Sequence, residues 1–285
     1  MTIDPTNEAA YAIDQRRPHW PATIAGFEAA SAEVAHHPRF TGDIGFGDRP
    51  RERFDRFAAE GEARGLLVYF HPGYWQMRDR TLFRCLMPIF AGLGLDVATV
   101  GYPLCPEVSM AELIRSACAS LPAVRAHGRA ARGCDLPVIA AGHSAGAHLA
   151  VELTLAANAG PGGPIAGVVA ISGVYDLEPL IATSLNAALG LDRATARAAS
   201  PIHRVGAQAA PALFAVGAAE TEAFLEQNRR MAAAWRAAGH RATEFESPGD
   251  DHFSVIERLR EPASPLWRAV TALIDDALAA PTGAA

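Results

Sequence analysis

Val138-Ile139-Ala140-Ala141-Gly142-His143-Ser144-Ala145-Gly146-Ala147-His148 is the stretch that decides the fold. Its apolar first half has the pattern of a buried strand, and its small-residue second half opens a helix. Between them stands Gly-x-Ser-x-Gly. Ser144 occupies the apex of the turn, in a strained backbone conformation that only small neighbours tolerate. Gly142 and Gly146 let strand and helix pass close to each other. A serine hydroxyl is thereby held out of a sheet at a helix N-terminus, where it is available as a nucleophile. Five-residue patterns recur by chance, so the weight rests on the strand before the turn and the helix after it.

A second stretch lies upstream. Residues 66–70, Leu-Leu-Val-Tyr-Phe, read as a buried strand, and His71-Pro72-Gly73-Tyr74-Trp75 follows at once. Acyl transfer builds negative charge on the carbonyl oxygen, so backbone N–H groups must wait where that charge appears. The α/β-hydrolase arrangement takes one donor from the residue after the nucleophile, here Ala145. The others come from the loop after an earlier strand. Pro72 has no N–H to give, which leaves Gly73 and Tyr74. Taken alone, this stretch is an ordinary Pro-Gly turn carrying aromatics.

A nucleophilic serine needs a base and an acid, in the chain order Ser, acid, His. Asp251-His252-Phe253-Ser254 follows the predicted strand 242–246 and the turn chemistry of Ser247-Pro248-Gly249-Asp250. His252 is the one histidine of ten in the last sheet-to-helix loop, where the base belongs. His36, His37, His127 and His240 have polar surroundings and are expected to be solvated, and His203 has no evident role. The acid should follow the preceding strand, 212–216. Glu220 is the choice there, to hold the imidazole tautomer and stabilise the imidazolium. Glu222 is the fallback, and both glutamates also suit a helix N-terminus on electrostatic grounds alone.

These residues resemble the arylformamidase (kynurenine formamidase) branch of the α/β-hydrolases, related to the hormone-sensitive-lipase-like esterases. The resemblance is carried by His71 to Trp75, Tyr102-Pro103-Leu104-Cys105-Pro106-Glu107-Val108 and Gly142 to Leu149. It continues through Ile171-Ser172-Gly173-Val174-Tyr175-Asp176-Leu177-Glu178-Pro179-Leu180, Asn186, Ser200-Pro201 and Asp251 to Ser254. It runs from about Ile44 to the C-terminus. The Tyr-Trp ending of the upstream motif separates this branch from lipases and esterases with a Gly-Gly-Gly type of motif. Two departures stand out: Pro72 replaces a glycine of His-Gly-Gly-Tyr-Trp, and the acid is Glu220 where the family usually carries Asp. The resemblance implies a cofactor-free serine hydrolase acting on an N-formyl arylamine, with N-formyl-L-kynurenine the first substrate and kynurenine and formate the products. A carboxylesterase for short-chain or aryl esters is the alternative, since the machinery is the same. A catalytically dead scaffold used as a binding module is the rival from another class. Such scaffolds lose the serine, the histidine or the glycine that this chain keeps.

Tyr74, Trp75 and His148 are the expected substrate contacts, with two alternatives open: Trp75 equally suits core packing, and His148 equally suits a buried histidine bonded to backbone. Tyr74 and Trp75 are bulky where related esterases carry glycine, so Trp75 is expected to bound a tight acyl pocket. His148 lies four residues past Ser144 on the same helical face.

Composition agrees with one domain over residues 1–285. The chain is 50% apolar and carries a net charge of −6, without the basic face that nucleic acid requires. All 25 basic residues are arginine, which with the alanine and glycine excess suggests a GC-rich bacterial genome. No apolar run approaches a membrane span, the start lacks a secretory pattern, and the four cysteines show no Cys-x-x-Cys. These features point to a cytoplasmic protein with a small-molecule substrate, no nucleic acid and no membrane, and leave room for a homodimer. No spacing suggests a metal or a dinucleotide.

The expected fold is α/β: a mostly parallel sheet covered by helices on both faces. Residues 1–40 form a helical or irregular segment over the active-site mouth or along the sheet edge. Residues 176–205 form a small helical insertion over the site. Strands are expected at 44–47 and 53–57, with the charge run Glu52-Arg53-Phe54-Asp55-Arg56 on a solvated face. A helix over 110–127 is open to a break at Pro122.

Overall fold

The computed structural model describes residues 2–13, 20–159, 163–206 and 210–279. The centre of the expected 159–164 loop and the 281–285 tail lie outside them. The eight strands of one sheet are β1 (Phe40–Gly45), β2 (Arg53–Phe57), β3 (Gly65–Phe70), β4 (Leu95–Val100), β5 (Val138–His143), β6 (Ile165–Ile171), β7 (Ala212–Gly217) and β8 (Ala242–Ser247). Their spatial order is β1-β2-β4-β3-β5-β6-β7-β8. β1, β2 and β4 pair antiparallel, and everything from β4 to β8 is parallel. This is the α/β-hydrolase arrangement expected. β1 begins four residues earlier than its pattern suggested.

The helices are α1 (Pro5–Tyr11), α2 (Trp20–Ala35), α3 (Met87–Ala91), α4 (Met110–Arg132), α5 (Ala145–Asn158), α6 (Asn186–Leu189), α7 (Arg193–Ala198), α8 (Glu222–Ala237), α9 (Ser254–Glu257) and α10 (Pro265–Ala279). β3, β4, β5 and β7 are buried along their whole length, as parallel strands covered on both faces must be. Alternate residues feed two cores. Leu66, Val68, Phe70, Val138 and Ala140 pack with Leu113, Leu149 and Phe224 of α4, α5 and α8. Leu67, Tyr69, Ile139 and Ala141 pack on the other face with Phe27, Phe90 and Ile274 of α2, α3 and α10. Each of the leucine, valine, isoleucine and phenylalanine side chains among them contributes about 1.5–3 kcal/mol by leaving water.

Pro122 does not break α4. The helix runs 23 residues from a Ser109–Glu112 capping box to a left-handed Gly133. Pro122 lies on its exposed side.

The charge run on β2 is not solvated, contrary to expectation. Glu52, Asp55 and Arg56 are all buried. β2 is an inner strand between β1 and β4, with α4 and the 3-10 helix Arg80–Leu86 packed against it. Each charge is therefore matched. Asp55 accepts from Arg84 Nε at 2.8 Å and from the backbone N–H of Asp43 at 2.8 Å. Arg56 donates to Asp96 at 2.6 Å, and Arg132 donates to the same carboxylate at 2.6 Å. Burial alone would raise the Asp96 carboxyl, but the bonds from Arg132, Arg56 and the Ala59 N–H outweigh it and the net shift is downward.

Asp96→Ala is expected to cost about 3 kcal/mol, because it leaves Arg56 buried without its counter-ion. A carboxyl depressed by folding stabilises the fold above its unfolded pKa of about 3.9, and that contribution is lost as pH falls through the lower folded value. Urea melts at neutral pH should show the deficit, and the gap between wild type and variant should narrow toward pH 3. A melt unchanged at neutral pH would rule out this role for Asp96.

Candidate active site

The site lies at the C-terminal ends of the parallel strands, where open α/β sheets place their ligands. Ser144 stands between β5 and α5 with φ 56° and ψ −122°, a conformation that costs an L-residue on the order of 1–3 kcal/mol. Its backbone N–H is held by Ile171 O of β6 at 2.8 Å. The two elbow glycines are a matter of space. A Cβ on Gly142 would stand 2.1 Å from Gly146 O, and one on Gly146 would stand 2.0 Å from Phe70 O. Strand and helix can meet this closely only without side chains there.

The structure brings Ser144, Glu220 and His252 together. His252 Nε2 is 3.0 Å from Ser144 Oγ, and Nδ1 is 2.7 Å from Glu220 Oε2. With Glu220 ionised, Nδ1–H donates to it and Nε2 accepts from the serine hydroxyl. Ser144, Glu220 and His252 are all buried side chains. Glu220 also accepts from the Gly217 N–H at 2.8 Å and from Ser172 Oγ. Glu222 points elsewhere: its side chain is 75% exposed and pairs with Arg229 at 2.7 Å. A chain of serine, imidazole and carboxylate in this order can raise the nucleophilicity of the hydroxyl and shuttle its proton.

Gly73 and Tyr74 share the wall of one narrow cleft with Ser144. Trp20, Phe83, His143, His252 and Phe253 complete most of it. The loop bearing Gly73 and Tyr74 is a tight turn. Gly73 has φ 134°, and its carbonyl accepts from the N–H groups of Gln76 at 3.0 Å and Met77 at 2.9 Å. Tyr74 and Trp75 also have positive φ, at 50° and 59°. Ala145 opens α5, whose first N–H groups have no intrahelical acceptor.

Two expected substrate contacts sit elsewhere. Trp75 and His148 are buried beneath the cavity and do not line it. Trp75 Nε1 donates to His148 Nδ1 at 3.2 Å, and His148 Nε2 donates to Ala199 O at 2.8 Å. Burial pulls the His148 imidazole down to about 4, so it is neutral and supplies one acceptor and one donor. These bonds tie the loop after β3 to the helix after Ser144. The face shared with Ser144 turns inward because α5 packs against β3, β5 and β6.

The 176–205 insertion is also displaced from its expected place. It is helical, with α6, α7 and 3-10 turns at Glu178–Ala182 and Pro201–His203, but none of its residues lines the cavity. It backs α5 through Ala199 and through Arg204, which donates to the buried Glu152. The mouth is covered instead by the N-terminal segment. Trp20 packs on Phe253 with ring centroids 4.2 Å apart. Tyr74 Oη donates to Tyr11 O at 2.7 Å and accepts from the Ile13 N–H at 3.2 Å.

Four residues had no assigned role at the level of sequence. His71 stacks on Tyr102 with centroids 4.2 Å apart and bonds Pro72 O through Nδ1 at 2.8 Å. Burial lowers its pKa to about 4, so a neutral ring pins the loop carbonyl. Ser172, with φ 52°, follows β6 and steadies Glu220. His143 lies 4.8 Å from His252, centroid to centroid, and burial with the neighbouring His252 pushes it well below the usual histidine range. His143 therefore stays uncharged. Arg78 lines the cavity and is half-buried. Ser172 and His71 had a usable signal, their place one residue beyond a parallel strand.

Among the described residues, no group of three or more His, Cys, Asp or Glu is placed to hold a metal. No described helix is long and apolar enough to cross a membrane.

Residues 67–255 match the family described as alpha/beta hydrolase fold. The chain is 28% identical over 226 residues to the kynurenine formamidase of Danio rerio, spanning 76% of each chain. It is 30% identical over 203 residues to the kynurenine formamidase of Drosophila melanogaster, spanning 67% of each. Among solved structures, that of a proposed thioesterase from a Silicibacter species matches with a TM-score of 0.80 and 32% identity. That match covers 94% of this chain and 98% of the other.

Proposed function

This chain belongs to the α/β-hydrolase family and is a hydrolase, and from that premise we propose that it cleaves N-formyl arylamines through a serine-bound formyl intermediate. N-formyl-L-kynurenine is the first substrate to try. The observation that carries the reading is the Ser144–His252–Glu220 chain opening on an aromatic-walled cavity. The relatives named kynurenine formamidase support the choice of acyl group.

In this mechanism Ser144 Oγ attacks the formyl carbon while His252 Nε2 takes its proton. Glu220 keeps Nδ1–H oriented and offsets the charge of the imidazolium. The N–H groups of Gly73, Tyr74 and Ala145 receive the oxyanion, each donor being worth roughly 10²–10³ in rate. His252 then protonates the departing nitrogen, without which an amide cannot leave. Kynurenine departs, water attacks the formyl ester with His252 as base, and formate is released. No cofactor enters any of these steps. Trp75 and His148 act in this scheme by holding the Gly73–Tyr74 loop, in place of the substrate contact expected of them.

A formyl group is the smallest acyl group, and the space beside Ser144 is narrow. The kcat/KM for N-formylkynurenine or a formanilide should exceed that for the matching acetanilide by well over an order of magnitude. p-Nitrophenyl acetate should turn over slowly as a side substrate. A preference for butyryl esters together with inertness toward formanilides would replace this reading with a carboxylesterase.

A further inference from the structure

Tyr74 lines the cleft, yet its hydroxyl is engaged by the N-terminal segment. α1 ends at Tyr11, and Ala12 follows with φ −82° and ψ 65°. These are the angles of an inverse γ-turn, and they bring the Ile13 N–H to 2.9 Å from Tyr11 O. The Tyr74 phenol bonds both ends of that turn. It donates to Tyr11 O at 2.7 Å and accepts from the Ile13 N–H at 3.2 Å. Tyr11 O is one of the last carbonyls of α1, which have no intrahelical donor of their own. Burial raises the phenol above its usual range, so it keeps the proton that it donates.

We propose that residues 4–13 act as a strap that sets the oxyanion loop through the Tyr74 phenol. Tyr74 is then a positioning residue, whose side chain fixes the place of its own backbone N–H. The inference rests on the assignment of the Gly73 and Tyr74 N–H groups to the oxyanion, and deepens it by naming what holds them.

The backbone of the loop needs such a hold. Gly73, Tyr74 and Trp75 have φ of 134°, 50° and 59° in succession. A residue with a side chain in this region costs on the order of 1–3 kcal/mol and stays there only where its surroundings fix it. Trp75 is fixed by its bond to His148. Tyr74 is fixed by the two bonds to the turn at Ala12.

A strap can position a loop only if it is itself anchored. The Asp4 N–H donates to Ala182 O at 2.8 Å, and Glu8 accepts from the Ser184 N–H at 2.7 Å and from Ser184 Oγ at 2.6 Å. The 176–205 insertion, which lines no part of the cleft, therefore holds one end of the strap. Thr221 Oγ1 donates to Ala10 O at 2.8 Å, and Gln227 Nε2 donates to Tyr11 Oη at 3.1 Å. Gln227 is braced in turn, since its carbonyl accepts the N–H groups of Tyr175 and Asp176 at 2.9 Å. Thr221 follows Glu220 directly. Phe224 packs on Tyr11 with ring centroids 5.9 Å apart and on His252 at 4.7 Å. The strap thus joins the loop assigned to the oxyanion to the helix that begins beside Glu220.

Oxyanion donors act on a charge that exists only in the transition state, so a displaced Tyr74 N–H lowers kcat and kcat/KM together and leaves KM alone. The test reads kcat and KM on p-nitrophenyl acetate and on a formanilide, per site titrated with a serine-directed phosphonate, so that unfolded protein does not count. Tyr74→Phe keeps the ring and loses both bonds. It should lower kcat by about 10- to 100-fold on every substrate turned over, with KM changed less than about threefold, the size of a misplacement of about 1 Å. Glu8→Ala together with Thr221→Val loosens the strap at two anchors outside the cleft and should lower kcat by about 2- to 10-fold. Combined with Tyr74→Phe, the same pair should cost nothing further, because the link through which it acts is already cut.

An unchanged kcat in Tyr74→Phe overturns the proposal, and so does an anchor pair that costs as much with Tyr74→Phe as without it. An effect of Tyr74→Phe confined to KM makes the phenol a substrate contact and overturns it as well. If Tyr74→Phe does not fold, the anchor pair decides: a lower kcat at constant KM supports the strap, and an unchanged kcat overturns it. A wild-type enzyme that hydrolyses the ester and ignores formanilides counts against the formamidase reading alone, and the strap is then judged on the ester, whose hydrolysis passes through the same oxyanion.

Discussion

Ser144→Ala is expected to lower kcat/KM by about 10³- to 10⁶-fold while the protein stays folded. The size of the loss follows from the chemistry. Without Oγ there is no atom to carry the acyl group, and His252 Nε2 loses its partner at 3.0 Å. What survives is the rate due to binding and oxyanion donors acting on water. The fold is spared because alanine keeps the same Cβ at φ 56° and removes only one hydroxyl. The strain at the elbow is unchanged, and the Ser144 N–H bond to Ile171 O is a backbone interaction. Turnover, thermal melting and labelling by a serine-directed phosphonate make a complete test. Wild-type protein should take one label, on Ser144, and the variant none. Near-native turnover in a folded Ala variant would end the acyl-enzyme mechanism.

Glu220→Gln should be nearly as damaging, with a loss of about 10³- to 10⁴-fold in kcat, whereas Glu222→Gln should change kcat less than about twofold. A glutamine at 220 still meets the donors Gly217 N–H and Ser172 Oγ with its carbonyl oxygen. Its amide NH₂ then faces His252 Nδ1, which must become the acceptor. The ring proton moves to Nε2 and points at Ser144, so the base is in the wrong tautomer. Glu222 sits in water and shares a surface ion pair with Arg229, an interaction worth about 0–1 kcal/mol to stability and nothing to the proton path. A reversed ranking of the two variants would place the acid elsewhere. A pH profile separates the two kinds of damage, because the Glu220 variant alone should shift the titration that controls kcat.

The hydrolase fold was legible because its signals are local. The apolar run into Gly142-His143-Ser144-Ala145-Gly146 needs no distant partner to be read as strand, turn and helix. His71 to Trp75 and Asp251 to Ser254 follow strands in the same way. Glu220 and Glu222 show the limit of such reading. Both follow β7, both suit the start of α8, and a step of two residues changes which way a side chain points. Only the 2.7 Å between Glu220 and His252 distinguishes them. Trp75 shows a different limit. Its bulk next to an oxyanion loop suggested a pocket wall, yet its indole turns under the loop to His148.

The buried charges of β2 were illegible for a topological reason. A run of Glu, Arg and Asp on a short strand belongs to solvent unless something covers it. The cover comes from α4 and residues 80–86, brought there by the sheet order β1-β2-β4-β3. Arg78 was silent for a similar reason, since nothing in the local pattern distinguishes it from Arg80 or Arg84, which pair with Asp55. The sequence by itself determined the class of fold, the chain order of the proposed nucleophile, acid and base, and the turns that carry them, because strand periodicity and turn chemistry act over a few residues. The tertiary structure alone decided which glutamate meets the histidine, which aromatics face the cavity and which segments cover it. Those outcomes depend on contacts between segments tens to more than a hundred residues apart, and no short window of sequence contains both partners.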